Sequence, residues 1–377
     1  MIYKNFGQTE KRIPAIGFGM CINELKSSST YIDLERVLHE CIDSGATFFD
    51  TSPVYGDGKS ENMLGRLFYK KRNNIFLATK FSPENARYKE VIKSAEQSLK
   101  RLRTDNIDLY QIHWPNLDVP VTETLSAMEK LVNDGKVKQI GVSNFSLKQL
   151  QEVCSYASIN IASIQVEYNL FDRSIEQNLL PFCRENKIAV IGYSPLIQGR
   201  LANGHPQIKM LENVAKKYNA TSAQIVLRWL TDNPEVFVIP NTTKKSRIFE
   251  NLRATDINLS EEDKKYISDN LKTIPQLVDL KKIRVSSEYN KKAYTNIEEA
   301  IENKMNLSPS PLELSRQMKS GEFLKTIRLR KLSIPIENKE YDLVEGRLRY
   351  WAWVLAYGWF KPIPALIWNN EEKNHVQ

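Results

Sequence analysis

The chain is poor in cysteine and histidine, with four of each in 377 residues. Cys21, Cys41, Cys154 and Cys183 form no CxxC pair and no metal-ligand spacing. That pattern excludes a zinc ribbon or a disulfide scaffold, implies no metal, and predicts the reduced thiols of a cytoplasmic protein. A long apolar run is also missing. Residues 350–368 come nearest, but Gly358, Lys361, Pro362 and Pro364 interrupt them, and a membrane span needs about 20 apolar residues. A buried helix, a turn and a buried strand are expected there instead. Residues 1–7 hold no apolar stretch of signal-peptide length. Concentrated charge is lacking too. The net charge is +8, but residues 276–377 hold 17 Lys/Arg against 13 Asp/Glu, so the excess is spread along the chain. Such a distribution describes a solvated mixed surface and argues against a DNA-binding patch. The Rossmann fingerprint is absent as well. Ile16-Gly17-Phe18-Gly19 lacks a third glycine, and no acidic residue follows a second strand at the required distance.

What is present is a regular alternation. Residues 1–14 read as a hairpin with a polar turn at Gln8-Thr9-Glu10-Lys11. Helix-period segments then cover 33–44, 60–70, 88–101, 121–133, 147–157, 175–186, 207–218 and 244–252. Short apolar runs lie between them at 47–49, 75–79, 107–112, 137–142, 162–166, 188–193 and 236–239, and 16–19 makes an eighth strand. This spacing predicts a parallel α/β architecture. Thr221 and Gln224 form a capping box that opens an extra helix. Ser260 to Asp263 opens another, ending near Thr273 before a break at Pro275.

The composition then changes. Residues 276–377 hold four of the six tryptophans and no cysteine. The expected elements are a strand at 277–285, helices at 297–305 and 311–319 with Gly321 as a stop, strands at 326–332 and 341–344, a helix at 347–357 and a strand at 363–368. The chain therefore divides into a barrel over residues 1–274 and a smaller domain over 276–377, as its length allows.

Three consecutive barrel strands end in polar residues. Phe48-Phe49 runs into Asp50, with Tyr55 in the loop beyond. Residues 75–79 run into Lys80, and 107–112 run into His113. Successive strand ends of a parallel barrel lie side by side on the catalytic face, so Asp50, Tyr55, Lys80 and His113 converge. A phenol is a weak acid near pKa 10, and a neighbouring ammonium lowers that value. Lys80 supplies the charge, Asp50 holds Lys80, and His113 orients a carbonyl oxygen. Each residue alone is an ordinary polar side chain; together they make a proton-delivery site for carbonyl reduction. No side chain donates a hydride, so a cofactor is implied. Ser143, Asn144 and Gln165 at later strand ends suit a carboxamide, and Tyr193 suits a planar heterocycle. The stretch from Pro240 to Arg247, rich in hydroxyls and cations, suits phosphate.

These residues carry a resemblance. Residues 1–274 resemble the aldo-keto reductase family through Phe49-Asp50-Thr51-Ser52-x-x-Tyr55-Gly56, Ser60-Glu61-x-x-Leu64-Gly65, Ala78-Thr79-Lys80 and His113-Trp114-Pro115. Further matches are Gly135-Lys136-Val137-x-x-Ile140-Gly141-Val142-Ser143-Asn144-Phe145, Gln165, Tyr193-Ser194-Pro195-Leu196, Ile239-Pro240 and Arg247-x-x-Glu250-Asn251. The resemblance implies a (β/α)8 TIM barrel and the tetrad Asp50, Tyr55, Lys80 and His113, with Tyr55 as general acid. It implies Ser143, Asn144 and Gln165 on the nicotinamide amide, Tyr193 stacked on its ring, and Ser194 and Leu196 along the pyrophosphate. Thr242, Thr243, Lys244, Arg247, Glu250 and Asn251 would surround the adenosine end. The cofactor implied is NADP, with NAD left open by Asn241, which stands where many NADPH-specific members carry Lys or Arg. The substrate implied is a small carbonyl compound, an aldehyde or ketone.

Residues 276–377 resemble the ParB/sulfiredoxin-like α+β fold through Leu343-Val344-Glu345-Gly346-Arg347-Leu348-Arg349-Tyr350-x-Ala352, Gly358 and Ile363-Pro364-Ala365-Leu366-Ile367, with Gly321 to Leu329 as the preceding helix-to-strand segment. That resemblance implies a nucleotide-phosphate site at Gly346, Arg347 and Arg349. Arg347 occupies the place of the sulfiredoxin cysteine, which excludes sulfinic acid repair. Two alternatives to a reductase follow: a redox-sensing or regulatory binding protein, and a nucleotide-dependent activity residing in the C-terminal domain.

Overall fold

The computed structural model describes residues 1–21, 28–68, 71–197, 206–270, 275–286, 294–307, 309–319 and 326–368. It divides into two compact units, one built from residues 1–202 and 206–272, the other mainly from 273–377. In the first unit β1 (Tyr3–Asn5) and β2 (Arg12–Pro14) pair as an antiparallel hairpin. Eight parallel strands follow: β3 (Phe18–Gly19), β4 (Phe48–Asp50), β5 (Phe76–Phe81), β6 (Ile107–Ile112), β7 (Val137–Ser143), β8 (Ile161–Glu167), β9 (Ala189–Tyr193) and β10 (Val236–Ile239), in that spatial order. The last returns to the first. Val238 N–H donates to the Ala15 carbonyl at 2.9 Å, and Gly17 N–H donates to the Val238 carbonyl at 2.9 Å. The expected (β/α)8 barrel is therefore present.

Strand alternation sorts the side chains. Phe48, Phe76, Leu109, Ile191 and Phe237 turn inward and cluster with Phe6 from the hairpin. The Phe6 ring lies 4.7 Å from Phe76 and 5.3 Å from Phe237, centroid to centroid, so the hairpin closes one end of the barrel. Phe49, Leu77, Tyr110 and Ile140 face the other way, into the core shared with the helices.

Most expected helices are present, from Ser28–Asp43 to Glu261–Asn270. Both halves of the Thr221–Gln224 capping box form, at 3.2 and 3.0 Å. Ser260 caps its helix through the Asp263 N–H at 3.1 Å, while the expected end near Thr273 lies outside the described residues. The helix expected at 175–186 is a 3-10 turn, Ser174–Glu176, followed by a helix, Leu179–Glu185. Pro181 is the reason: proline fits only the first helical turn, so the helix starts just ahead of it.

The second unit is a five-stranded mixed sheet in the order β11 (Gln276–Val278), β15 (Ile363–Trp368), β13 (Ile327–Ile336), β14 (Lys339–Glu345), β12 (Ile283–Arg284). The single strand expected at 277–285 is thus two short strands on opposite edges. Asp279 separates them by accepting from the Lys281 N–H at 2.9 Å and capping a 3-10 turn, Leu280–Lys282. The helix expected at 297–305 stops at Ile301; Asn303 takes a left-handed φ of 48° and its side chain accepts from Leu307 N–H instead. Strand β13 runs on to Ile336, because Glu337 and Asn338 make a tight turn with φ of 49° and 64°. Gly321 and its neighbours to 325 lie outside the described residues. The helix Arg347–Tyr357 contributes Tyr350, Trp351 and Val354 to a core with Leu329, Leu343 and Ile363. Among the described residues, no helix is long and apolar enough to cross a membrane.

Candidate active site

The inward positions change character toward the C-terminal ends of the strands. After Phe48 the next inward residue of β4 is Asp50; after Phe76 and Ala78 that of β5 is Lys80; after Leu109 that of β6 is Gln111. Register brings them together: Lys80 pairs with Gln111, Ser143 with Gln165, and Glu167 with Tyr193.

Asp50 and Lys80 are buried. Lys80 Nζ donates to Asp50 Oδ1 at 2.5 Å and to the Thr51 carbonyl at 2.9 Å. The second Asp50 oxygen accepts from Gln165 Nε2 at 2.8 Å and from Gln111 Nε2 at 3.2 Å. Burial opposes the Lys80 charge, but Asp50 and Tyr55 outweigh it and hold the ammonium above its ordinary value. Lys80 Nζ lies 5.1 Å from the Tyr55 ring centre. The Tyr55 and His113 rings meet edge to face at 6.0 Å. The four expected residues therefore converge.

One electrostatic expectation changes. Lys80 does pull the Tyr55 phenol down, but burial pushes it up by more, so Tyr55 stays above its ordinary value and keeps its proton. Burial, with the Lys80 charge added, pushes His113 down to about 3, so its imidazole is neutral near pH 7. Ser52 Oγ lies 3.4 Å from His113 Nδ1. The site can hold a carbonyl oxygen between a protonated phenol and a neutral imidazole.

The remaining rim suits a flat amide and phosphates. Asn144, with φ 62°, donates through Nδ2 to the His113 carbonyl and to Ser143 Oγ, each at 3.0 Å. Tyr193 OH donates to Asn144 Oδ1 at 2.9 Å, which fixes a half-buried ring at the end of β9. Ser194 has φ 50°, and Leu196 beside it is half-buried. Beyond β10, Thr242 Oγ1 accepts from the Lys244 N–H at 3.3 Å, ahead of the helix Lys245–Arg253. Thr243, Lys244 and Arg247 are exposed, and among the described residues neither cation has an ion-pair partner. Glu250 is engaged by Thr221 Oγ1 at 2.6 Å, and Asn251 is buried. Asn241, the departure noted in the sequence, donates to the Cys21 carbonyl at 2.7 Å. This donor set, an anchored ring, amides and uncompensated cations, fits a nicotinamide dinucleotide.

Gln111, Ser52 and the Thr51 carbonyl were not expected at the site. Gln111 carried a signal, a polar residue at an inward position of an apolar strand. Ser52 and Thr51 stood in the motif that carries the resemblance but were given no role, since their contacts depend on how the loop folds.

In the second unit Gly346 takes φ 98° and caps the helix Arg347–Tyr357. Arg347 is buried. Arg349 donates to the Thr326 carbonyl at 3.2 Å and approaches Glu345 at 3.8 Å, while Glu345 also takes Arg328 at 2.6 Å. The Arg349 side chain lies over Gly346, where an added Cβ would meet its Nη2 at 3.0 Å.

Known proteins agree with the first unit. Residues 15–272 match the Aldo/keto reductase family, and the chain belongs to that family of oxidoreductases. The methylglyoxal reductase YeaE of Escherichia coli (strain K12) is 35% identical over 250 residues, covering 66% of this chain and 87% of its own. The glyoxal reductase of Bacillus subtilis (strain 168) is 35% identical over 222 residues, covering 59% and 78%. An aldo/keto reductase from Klebsiella pneumoniae, solved in complex with NADP and acetate, shares 34% identity with a TM-score of 0.67, covering 72% of this chain and 95% of its own.

Proposed function

We propose that the protein reduces a small aldehyde or ketone to an alcohol with NADPH, and that Tyr55 is the general acid. The observation that carries this reading is the Tyr55 phenol set between buried Lys80 and neutral His113. A bound nicotinamide supplies the hydride. As charge develops on the carbonyl oxygen, Tyr55 releases its proton to it, and the Lys80 ammonium stabilises the phenolate that remains. Asp50 keeps Lys80 charged and in place. His113 orients the oxygen by hydrogen bonding, since a neutral imidazole adds no competing charge. Ser143, Asn144 and Gln165 would bond the carboxamide, Tyr193 would cover the ring, Ser194 and Leu196 would flank the pyrophosphate, and Lys244 and Arg247 would meet the phosphate at the adenosine end with Thr242, Thr243, Glu250 and Asn251. The names of the relatives suggest short dicarbonyls such as methylglyoxal and glyoxal as first substrates. NADPH consumption with those two compounds and a panel of simple aldehydes tests the reading; a protein that binds NADPH but consumes it with none of them contradicts it.

We propose further that residues 276–377 form a domain of the ParB/sulfiredoxin-like type, with a nucleotide phosphate at Gly346, Arg347 and Arg349. The left-handed Gly346 between β14 and a helix N-terminus supports this. Calorimetry of the full chain with ATP, ADP, CTP and GTP, against Arg347→Ala/Arg349→Ala, tests it; equal heats from both proteins refute it.

A further inference from the structure

The motif Ser60-Glu61-x-x-Leu64-Gly65 has no place in the tetrad or at the cofactor rim, yet it begins directly after the loop that carries Tyr55. Its helix is Lys59–Phe68. Ser60 Oγ donates to the Met20 carbonyl at 2.7 Å and lies 2.8 Å from Thr51 Oγ1, which closes the base of the Tyr55 loop. Glu61 is fully buried. Its Oε1 accepts from Thr79 Oγ1 at 2.7 Å, and its Oε2 accepts from Arg101 Nε at 2.6 Å.

Thr79 is the neighbour of Lys80 in β5. Strand alternation puts Lys80 on the inside and Thr79 on the helix side, so the bond to Thr79 fixes the loop's helix against the residue beside Lys80. Arg101 completes the fixture from the helix Tyr88–Leu102. Its side chain runs beneath the Tyr55 loop: a Cβ on Gly58, which has φ 75°, would meet Arg101 Cδ at 2.8 Å. Gly65 allows the two helices to approach, since a Cβ there would lie 2.4 Å from the Arg101 carbonyl oxygen. Gly58, Glu61 and Gly65 are thus all shaped around one arginine.

We infer that Glu61, Thr79 and Arg101 form a positioning clamp that registers the Tyr55 loop against Lys80, an inference that rests on Tyr55 being the proton donor. Thr79 faces the helix side of its strand, and Glu61 and Arg101 come from helices outside the barrel, so the three act through the Tyr55 loop. A clamp of this kind acts on the proton-transfer step, where a displacement of about 1 Å costs up to about a hundredfold in rate.

The test compares Glu61→Gln and Thr79→Val with the parent protein, each first shown to melt cooperatively. Thr79→Val keeps the shape of the side chain and provides the readout if Glu61→Gln does not fold. Hydrogen exchange of the peptide spanning 51–60 is followed by mass spectrometry in the cofactor-free protein, and kcat, KM and the pH profile in the presence of NADPH. The expected result is faster exchange in that peptide. With it, kcat falls about tenfold or more for Glu61→Gln and less for Thr79→Val, KM and NADPH affinity hold, and the high-pH limb moves upward as Tyr55 loses its contact with Lys80. Loss of melting temperature alone, with exchange, kcat and pH profile unchanged, overturns the clamp. Faster exchange with unchanged turnover, alongside an active Tyr55→Phe protein, keeps the clamp and overturns the role of Tyr55.

Discussion

Gln165 and Asp50 stand 115 positions apart in the chain, and Gln165 Nε2 donates to Asp50 Oδ2 at 2.8 Å. The bond fixes the Gln165 amide with its nitrogen toward Asp50, and on the proposed reading its oxygen would then serve a carboxamide donor. It also gives Asp50 a second anchor opposite Lys80. The residue expected to serve the cofactor is therefore tied to the residues expected to deliver the proton, through a carboxylate that bonds Gln165 and Lys80 alike.

Gln165→Leu removes both ends of that arrangement. NADPH binding should weaken by about 1–3 kcal/mol, and folding stability should fall by about 1 kcal/mol, as Asp50 loses one donor and keeps Gln111. Titration of protein fluorescence with NADPH and urea unfolding measure the two effects. Unchanged affinity would show that Gln165 serves Asp50 alone.

Arg247 is exposed and, among the described residues, has no ion-pair partner, and Asn241 supplies no charge of its own. Arg247→Ala should weaken NADPH by about 1–3 kcal/mol and leave NADH nearly unaffected. Equal losses for the two cofactors would mean that Arg247 does not read the 2′-phosphate.

His113 couples the site to acid stability. Its folded value of about 3 lies below its ordinary 6.5, so between those values the unfolded chain binds the extra proton. Stability is thus fully present above about pH 6.5 and is lost as pH falls toward 3, at up to about 1.4 kcal/mol per pH unit. His113→Gln should flatten urea midpoints across that window and leave them alone above it. Parallel pH profiles for the two proteins would place the acid sensitivity elsewhere.

Much of this was legible in the sequence. The strands of the barrel are short apolar runs between helix-period segments, and the four residues expected to do the chemistry lie at their ends or in the loop beyond, where a parallel barrel places a site. Local chemistry corrected four expectations: Pro181 splits one helix, Asn303 ends another, Asp279 breaks one strand into two, and the turn at Glu337 and Asn338 lengthens another strand. What could not be read depends on depth and on partners distant in the chain. The Tyr55 shift is a contest between burial and the Lys80 charge, and no residue pattern reports burial. The link from Glu61 to Arg101 joins positions on two helices, and the Ser60-Glu61-x-x-Leu64-Gly65 motif names one end of it without its partner.

The central claim is that Tyr55 delivers the proton, and replacing its hydroxyl tests that most directly. Single-turnover carbonyl reduction is compared for Tyr55→Phe and the parent protein, each saturated with NADPH, with cofactor affinity measured in parallel. The account predicts at least about a hundredfold slower reduction by Tyr55→Phe with NADPH affinity unchanged. Reduction at the parent rate by a Tyr55→Phe protein that binds NADPH normally would contradict it.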